Sequence, residues 1–291
     1  MPKKIPFEYY EEVIGFYIDD VKDYVHSIYS VGNISYPGLS DIDLVVIPKE
    51  KYLSSFRLEM KGRYNKKYNN IIHHNPFVIP DEFKSLWKYT LLSNMKVIYG
   101  DNQLIEVDKD NSYTNKFCHA IEGLLSYLEF SKHTSKGQFL NASYAIPVFS
   151  SFRFTISLFQ DLKFITENNY AVEFDELRNK ILESNNQNVV IEMYTIFEEN
   201  LELLTKNICE QLQLKTINLK EINNFYLHDR KFIDREIFIK RNGLISKYNE
   251  YLKKHNYHYG HMFRTAYFPT PTISYHYRIL RKLMVLTNFL K

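Results

Sequence analysis

Hydrophobic and polar positions follow two different periods near the start of the chain. From Tyr10 onward, apolar residues recur every three or four positions and acidic residues occupy the other face, which predicts a helix packed on a sheet. Its apolar positions are Val13, Ile14, Tyr17, Ile18, Val21, Tyr24, Val25 and Ile28. A short apolar strand is predicted to run into Gly32, and the continuous apolar run at residues 44–47 predicts a strand buried on both faces.

Shorter elements are predicted from there to residue 101. Residues 49–67 are interpreted as one helix and a basic loop, and residues 70–80 as a third strand that Pro76 confines to an edge or a bulge. The acids Asp81 and Glu82 suit the first turn of a helix.

After about residue 113 the pattern changes to long helical stripes with few strand signals. Residues 117–130, 148–164 and 189–212 each predict a helix, and together they predict a helical bundle. We therefore expect an α+β protein with a mixed-sheet domain at residues 1–105 and a helical domain at residues 106–291. Arg153 and Lys163 are placed on the second of these helices, where they either face a ligand across the cleft or are simply solvated.

The chemistry is concentrated at the start of the second strand. Successive side chains of a strand point to opposite faces, so Asp41 and Asp43 should point the same way, with Ile42 between them facing the other. Two carboxylates at so short a distance repel each other and need a cation between them. Carboxylate oxygens on a rigid strand suit Mg²⁺ (or Mn²⁺), which leaves other positions for water and substrate phosphates. Taken alone, an Asp-x-Asp pair also occurs on surface strands that bind nothing.

The turn before the pair has the complementary property. Gly32 allows a close approach of the backbone to a ligand, and Asn33, Ser35 and Ser40 offer small polar groups. These residues predict a phosphate-facing turn beside a metal-holding strand.

Together these residues resemble the DNA polymerase β-like nucleotidyltransferase superfamily. The family pattern is a hydrophobic residue, Gly, Ser, a spacer, Gly and a Ser-Asp-x-Asp strand. Here it takes the form of Val31-Gly32-Asn33, Gly38 and Ser40-Asp41-Ile42-Asp43-Leu44, with Asn33 where Ser is usual and a short spacer. The strand at residues 95–101 resembles the one that closes the catalytic domain in the small-molecule nucleotidyltransferases of this superfamily. The resemblance implies Asp41 and Asp43 as metal ligands, and Gly32, Asn33, Ser35 and Ser40 as nucleotide-binding residues.

Members of this superfamily usually carry a third carboxylate on a strand beside the pair. Here no Asp or Glu occurs between Lys61 and Pro80, and His73, His74 and Asn75 occupy the place. A neutral imidazole can bind a metal or act as a base, so His74 is our candidate for a third catalytic residue. The alternatives are that the histidines only hydrogen-bond the sheet edge, or that the third ligand is lost.

Strand alternation makes the histidine assignment specific. It puts His73 and Asn75 on one face and His74 on the other, so only one set should reach the metal site. We favour His74 because Pro76 can bulge the strand and turn the preceding residues inward. Asp101 is a further candidate for the missing carboxylate, although an Asp after a Gly turn needs no such role.

Composition narrows the range of partners. Lys and Arg number 37 against 34 Asp and Glu, and the formal net charge of +3 argues against an extended nucleic acid as the partner. The basic run at residues 61–67 either meets phosphate or forms a solvated loop. The abundant Tyr and Phe can stack on bases, but most must fill the core.

The remaining signals concern compartment and metals. Cys118 and Cys209 match no metal-site spacing and are interpreted as buried free thiols in a reducing compartment. No apolar stretch is long enough to cross a membrane, and the start of the chain lacks a signal peptide pattern, so we expect a cytoplasmic protein. The histidines at residues 255–261 make a weak zinc candidate, and residues 277–290 predict a packed amphipathic helix.

The function that this sequence predicts is transfer of a nucleoside monophosphate from a nucleoside triphosphate to a small-molecule acceptor by two-metal-ion catalysis. Modification of a protein side chain or of a tRNA end stays open as the acceptor class. A degenerate nucleotide-binding or regulatory module without turnover is the alternative of a different class, and metal-dependent triphosphate binding without product would distinguish it.

Overall fold

A computed structural model gives the fold. It describes residues 4–49, 54–64, 68, 71–91, 95–105, 107–134, 142–166, 168–184, 186–229, 231–255 and 257. The helices are α1 (Glu8–Val21), α2 (Tyr113–Thr134), α3 (Ala142–Asp161), α4 (Tyr170–Ser184), α5 (Gln187–Leu212), α6 (Leu219–His228) and α7 (Arg235–Lys254). The strands are β1 (Val25–Val31), β2 (Asp43–Pro48), β3 (Phe77–Val78) and β4 (Lys96–Gly100), and 3₁₀ helices occupy Ser55–Leu58 and Asp81–Tyr89.

The four strands form one mixed sheet in the order β3-β2-β1-β4. β1 runs antiparallel to both β2 and β4, and β3 lies parallel to β2 at an edge. The mixed α/β class that the sequence predicts is therefore confirmed, as are the strand at residues 96–100 and the edge position of β3. In the described residues after Gly100, every regular element is a helix.

Several predicted boundaries are wrong. Tyr24, Val25 and Ile28 do not extend the first helix, because α1 ends at Val21 and residues from Val25 onward pair with strands on both sides. The third strand is only Phe77–Val78. The helix predicted to begin at Asp81 is confirmed and is of the 3₁₀ type. Lys163 lies beyond the end of α3 in the left-handed region, with φ 63°, and not on a helix.

Two groups of buried apolar side chains make up the interior. The first surrounds the sheet and includes every residue from Leu44 to Ile47, which confirms that this strand is covered on both faces. The second is built from α2 to α7 and also takes in Leu39, from the loop between β1 and β2. The predicted boundary near residue 105 stays a prediction.

The second half of α7 returns to the sheet. Its side chains Ile245, Tyr248, Tyr251 and Leu252 belong to the group around the sheet. The Tyr248 hydroxyl donates to the Val78 carbonyl at 2.6 Å. Helix α7 thereby links the edge strand to the helices that follow the sheet.

Candidate metal and nucleotide site

The start of β2 and the end of β1 lie side by side. Val31 pairs with Asp43, so the loop that begins at Gly32 leaves the sheet next to the second carboxylate. Ile42 is buried, whereas the side chains of Asp41 and Asp43 are 23% and 38% exposed. This is the alternation predicted for the pair.

The segment from Ile71 to Phe77 runs beside β2 and forms a loop next to the two carboxylates. The Ile42 amide donates to the Ile71 carbonyl at 2.9 Å, and farther along Val45 pairs with Phe77. Five residues thus lie between Ile71 and Phe77, whereas only two lie between their partners Ile42 and Val45. The extra residues form a loop, and Asn75 fixes it by accepting from the amides of residues 60 and 61 at 3.0 and 2.9 Å.

Both histidines of this loop reach the carboxylates. His73 Nδ1 lies 3.2 Å from Asp41 Oδ2, and His74 Nε2 lies 2.7 Å from Asp43 Oδ1. The prediction that only one of them could do so is wrong, because residues 71–76 are not an extended strand and strand alternation does not apply to them.

The His74 ring is oriented by its other nitrogen. Nδ1 lies 2.8 Å from the Asn75 carbonyl oxygen, an acceptor, so Nδ1 must carry a proton. In the neutral ring, Nε2 then presents its lone pair toward Asp43. This is the usual arrangement of a metal-binding histidine, in which a backbone carbonyl fixes the tautomer.

The ionisation of the site follows from these contacts. Burial works to lower the pKa of His74, but its hydrogen bonds with Asp43 and Asn75 and the charge of Asp41 outweigh burial and raise that pKa to about 9. Burial works to raise the pKa of Asp41, and the hydrogen bond with His73 and the charges of both histidines hold it below its usual value. Without a metal, a protonated His74 is therefore the cation that faces Asp43.

Asp41, Asp43 and His74 form a group with metal-binding geometry. Each offers one ligand atom, and the three atoms lie within 4.8 Å of one another. The donor set of two carboxylate oxygens and one imidazole nitrogen fits Mn²⁺ well and Mg²⁺ through its carboxylates. Asp101 is not part of it, because Gly100 pairs with Ser27, at the opposite end of β1 from the Val31–Asp43 pair.

The loop after β1 is open where a ligand would approach. Gly32 has φ 77°, which favours glycine, and a Cβ there would meet nothing within 4 Å. Gly32, Asn33 and Ser35 are all exposed. The structure thus places these three predicted nucleotide-binding residues in one accessible loop beside Asp43.

Ser40 is held inside the second half of this loop. Its amide donates to the Tyr36 carbonyl at 2.8 Å, and its hydroxyl oxygen accepts from the Tyr36 amide at 3.1 Å. The amide of Ser40 is therefore engaged within the turn, which leaves the hydroxyl proton as the donor that it can direct to a ligand. We call residues 36–40 the motif turn.

Two side chains that the sequence analysis did not assign to the site hold the motif turn. The Tyr10 hydroxyl donates to the Ser40 carbonyl at 2.7 Å and accepts from the Gly38 amide at 2.9 Å. The guanidinium of Arg178, on α4, lies 3.8 Å from the centroid of the Tyr36 ring. Tyr10 was predicted only as part of a helix, and an arginine on a remote helix carries no local signal.

Other candidates lie apart from the carboxylates. Arg153 forms an ion pair with Asp175 at 3.3 Å, and Arg63 of the basic loop lies 3.7 Å from Asp20. Burial raises the pKa of the Cys118 thiol to about 12, which suits an inert core residue. The zinc candidate and the terminal amphipathic helix fall, apart from residues 255 and 257, outside the described residues.

A comparison of the chain with protein-family models finds no match, and comparisons with curated proteins and with solved structures find none either. In the part of the chain that the structure describes, no helix combines the length and the apolar character needed to span a bilayer.

Proposed function

We propose that this protein is a nucleotidyltransferase that moves a nucleoside monophosphate from a nucleoside triphosphate to a small-molecule acceptor. The observation that carries the proposal is the convergence of Asp41, Asp43 and His74, with His74 Nδ1 bound to a backbone carbonyl so that Nε2 faces the carboxylates. The motif resemblance to the polymerase β-like superfamily supports the same activity independently of this geometry.

The roles divide between the strand and the loop. Asp41 and Asp43 would hold Mg²⁺ or Mn²⁺, which when bound neutralises the triphosphate and lowers the pKa of the attacking hydroxyl. His74 would be the third ligand once its proton has left, or would stay protonated as a fixed cation beside Asp43. The exposed loop of Gly32, Asn33 and Ser35 would bind the outer phosphates.

The proposed architecture follows the order of the elements. Residues 1–105, which include the sheet, would be the catalytic domain, and residues 106–291 would be a helical bundle that forms the far wall of the substrate cleft. The location we propose is the cytoplasm, where nucleoside triphosphates are available. A protein side chain or a tRNA end is the acceptor class to test after small molecules.

One observation favours a second candidate. Each carboxylate already has an imidazole within hydrogen-bonding distance, so both carboxylates have a partner without a metal ion. A module that binds a nucleotide as a regulatory ligand, without transferring any group, would not need a catalytic metal ion between these carboxylates. Such a module would bind triphosphate and give no labelled product.

The experiment is label transfer. The protein is incubated with Mg²⁺ or Mn²⁺, a cell extract and each α-labelled nucleoside triphosphate in turn, and the molecule that acquires label is identified. Asp41→Asn and Asp43→Asn should abolish transfer while the protein remains folded. Asp108→Asn is the matched control, since Asp108 is an exposed carboxylate outside the site. Full metal-dependent transfer by both site variants would refute the proposal.

A further inference from the structure

A buried arginine from the helical half of the chain contacts the motif turn. Arg178 lies on α4, and its side chain is only 5% exposed. Its guanidinium covers the ring of Tyr36 at 3.8 Å from the centroid, and Nη1 lies 3.2 Å from Asp175 Oδ1. An arginine is suited to this place because its flat, weakly hydrated guanidinium can stack on an aromatic face while it pairs with a carboxylate.

Tyr36 is the residue around which the motif turn is folded. Its carbonyl accepts from the amides of Leu39 at 2.9 Å and Ser40 at 2.8 Å, and its amide donates to the Ser40 hydroxyl. Ser40 directly precedes Asp41. Any shift of the Tyr36 backbone is therefore passed on through these three hydrogen bonds to the first carboxylate of the site.

The contact between Arg178 and Tyr36 joins the turn to the helical core. Tyr36 and Leu39 pack against the group of buried side chains built from the helices, although both residues belong to the loop between two strands. Tyr10 from α1 also holds the turn, through its hydrogen bonds with Gly38 and Ser40. Removing Arg178 would leave the turn with the buried side chain of Leu39 in the helical core and the hydrogen bonds of Tyr10.

The charges around Arg178 add a second reason for a specific role. Arg153 shares the Asp175 carboxylate with it, so two guanidinium groups face one acid. Arg178 Nε is buried and has no hydrogen-bond partner among the described residues. A guanidinium used only for packing could be replaced by an apolar side chain, whereas this one stays charged and incompletely paired next to the turn.

We propose that Arg178 is a positioning residue for the nucleotide site, acting through Tyr36 on the motif turn and so on Asp41. The inference rests on the proposed function for its catalytic consequence, but the positioning itself is a property of the fold. Small displacements of aligned groups reduce turnover strongly, so we expect Arg178→Met to lower kcat/KM for the triphosphate by about 100-fold.

The first measurement does not depend on catalysis. Amide hydrogen exchange of the peptide covering residues 36–43 should be faster in Arg178→Met than in the wild type, because the Ser40 amide loses the support of its acceptor. A peptide from α5 should exchange at the wild-type rate. Arg153→Met is the matched control: it removes the other arginine from the same carboxylate without touching Tyr36, and exchange at residues 36–43 should be unchanged.

A second variant separates positioning from general stability. Tyr36→Leu removes the stacking ring but keeps Arg178, and it should raise exchange of the same peptide, whereas Tyr36→Phe should behave like the wild type. If Arg178→Met does not fold, the Tyr36 pair decides the question. Unchanged exchange at residues 36–43 in the folded variants, or an equal rise in Arg153→Met, would overturn the inference.

The two proposals fail in different ways. If the wild type neither binds triphosphate nor transfers label, the nucleotidyltransferase proposal is refuted, and the exchange experiment still decides whether Arg178 positions the turn. If the wild type is active and Arg178→Met shows faster exchange with unchanged kcat/KM, Arg178 holds the turn without serving the reaction, which refutes its role at the nucleotide site.

Discussion

The ion pair between Arg241 and Glu122 is buried, and its burial determines how much stability we expect a substitution to remove. Arg241 on α7 is fully buried, and Glu122 on α2 is 4% exposed. The guanidinium makes two parallel bonds to the carboxylate, at 2.8 and 2.7 Å, and Nε donates to Asn115 at 3.0 Å. Deleting one member would leave the other charge buried and uncompensated.

We therefore expect Arg241→Met to reduce the free energy of unfolding by ~3–5 kcal/mol. At roughly 2–4 °C per kcal/mol for a chain approaching this size, the midpoint of thermal unfolding should fall by ~6–20 °C. Urea unfolding followed by circular dichroism measures the first quantity. The double variant Arg241→Met, Glu122→Leu should recover most of the loss, because apolar side chains of similar volume avoid the desolvation of both charges.

The neighbouring residue on the same helix supplies the control. Lys240 pairs with Glu236 one turn earlier on the exposed face of α7, so Lys240→Met should leave the unfolding midpoint unchanged. A loss of about 1 kcal/mol or less in Arg241→Met, or a double variant less stable than either single one, would show that the pair does not lock α7 onto α2.

Two further predictions concern buried polar groups. Burial lowers the pKa of His119 to about 3, against about 6.5 in the unfolded chain. As the pH drops below 6.5, the unfolded state therefore takes up the proton before the folded state does. The free energy of unfolding should fall as a result, by about 2 kcal/mol at pH 5. Urea unfolding at pH 7 and pH 5 should show a smaller difference for His119→Gln, and an equal difference would contradict the assignment. Tyr10→Phe removes the hydroxyl that bridges Gly38 and Ser40 and should cost about 1–3 kcal/mol by the same measurement. A cost near zero would mean that the motif turn does not depend on this bridge.

The sequence predicted those features of the site that depend on neighbours along the chain. Asp41 and Asp43 lie on either side of the buried Ile42 at the start of β2, as strand alternation predicted, and the apolar run behind them marked the strand as buried on both faces. The turn predicted at Gly32 is present, and its glycine has a φ of 77°. Each of these inferences uses only local backbone geometry.

Features that depend on pairing and packing were not predictable in the same way. Residues 25–28 have apolar spacing compatible with either a helix or a strand, and their pairing with β2 and β4 makes them a strand. His73 and His74 were assigned to opposite faces because residues 70–80 were interpreted as a continuous strand. The loop that breaks that strand forms against the amides of residues 60 and 61, a contact that no periodicity reveals.

The carboxylate pair is held together by contacts from distant parts of the chain. Two like charges with ligand atoms within 4.8 Å of a common partner repel each other, so a flexible strand end would let them separate. Tyr10 from α1 and Arg178 from α4 fix the turn before the pair, and the Ile71 carbonyl fixes the residue between its members. A site restrained by contacts from three parts of the chain keeps its ligand atoms close together whether an imidazolium or a metal ion supplies the positive charge. The proposed nucleotidyl transfer would require such preorganisation, because the reacting groups must be aligned before the transition state is reached.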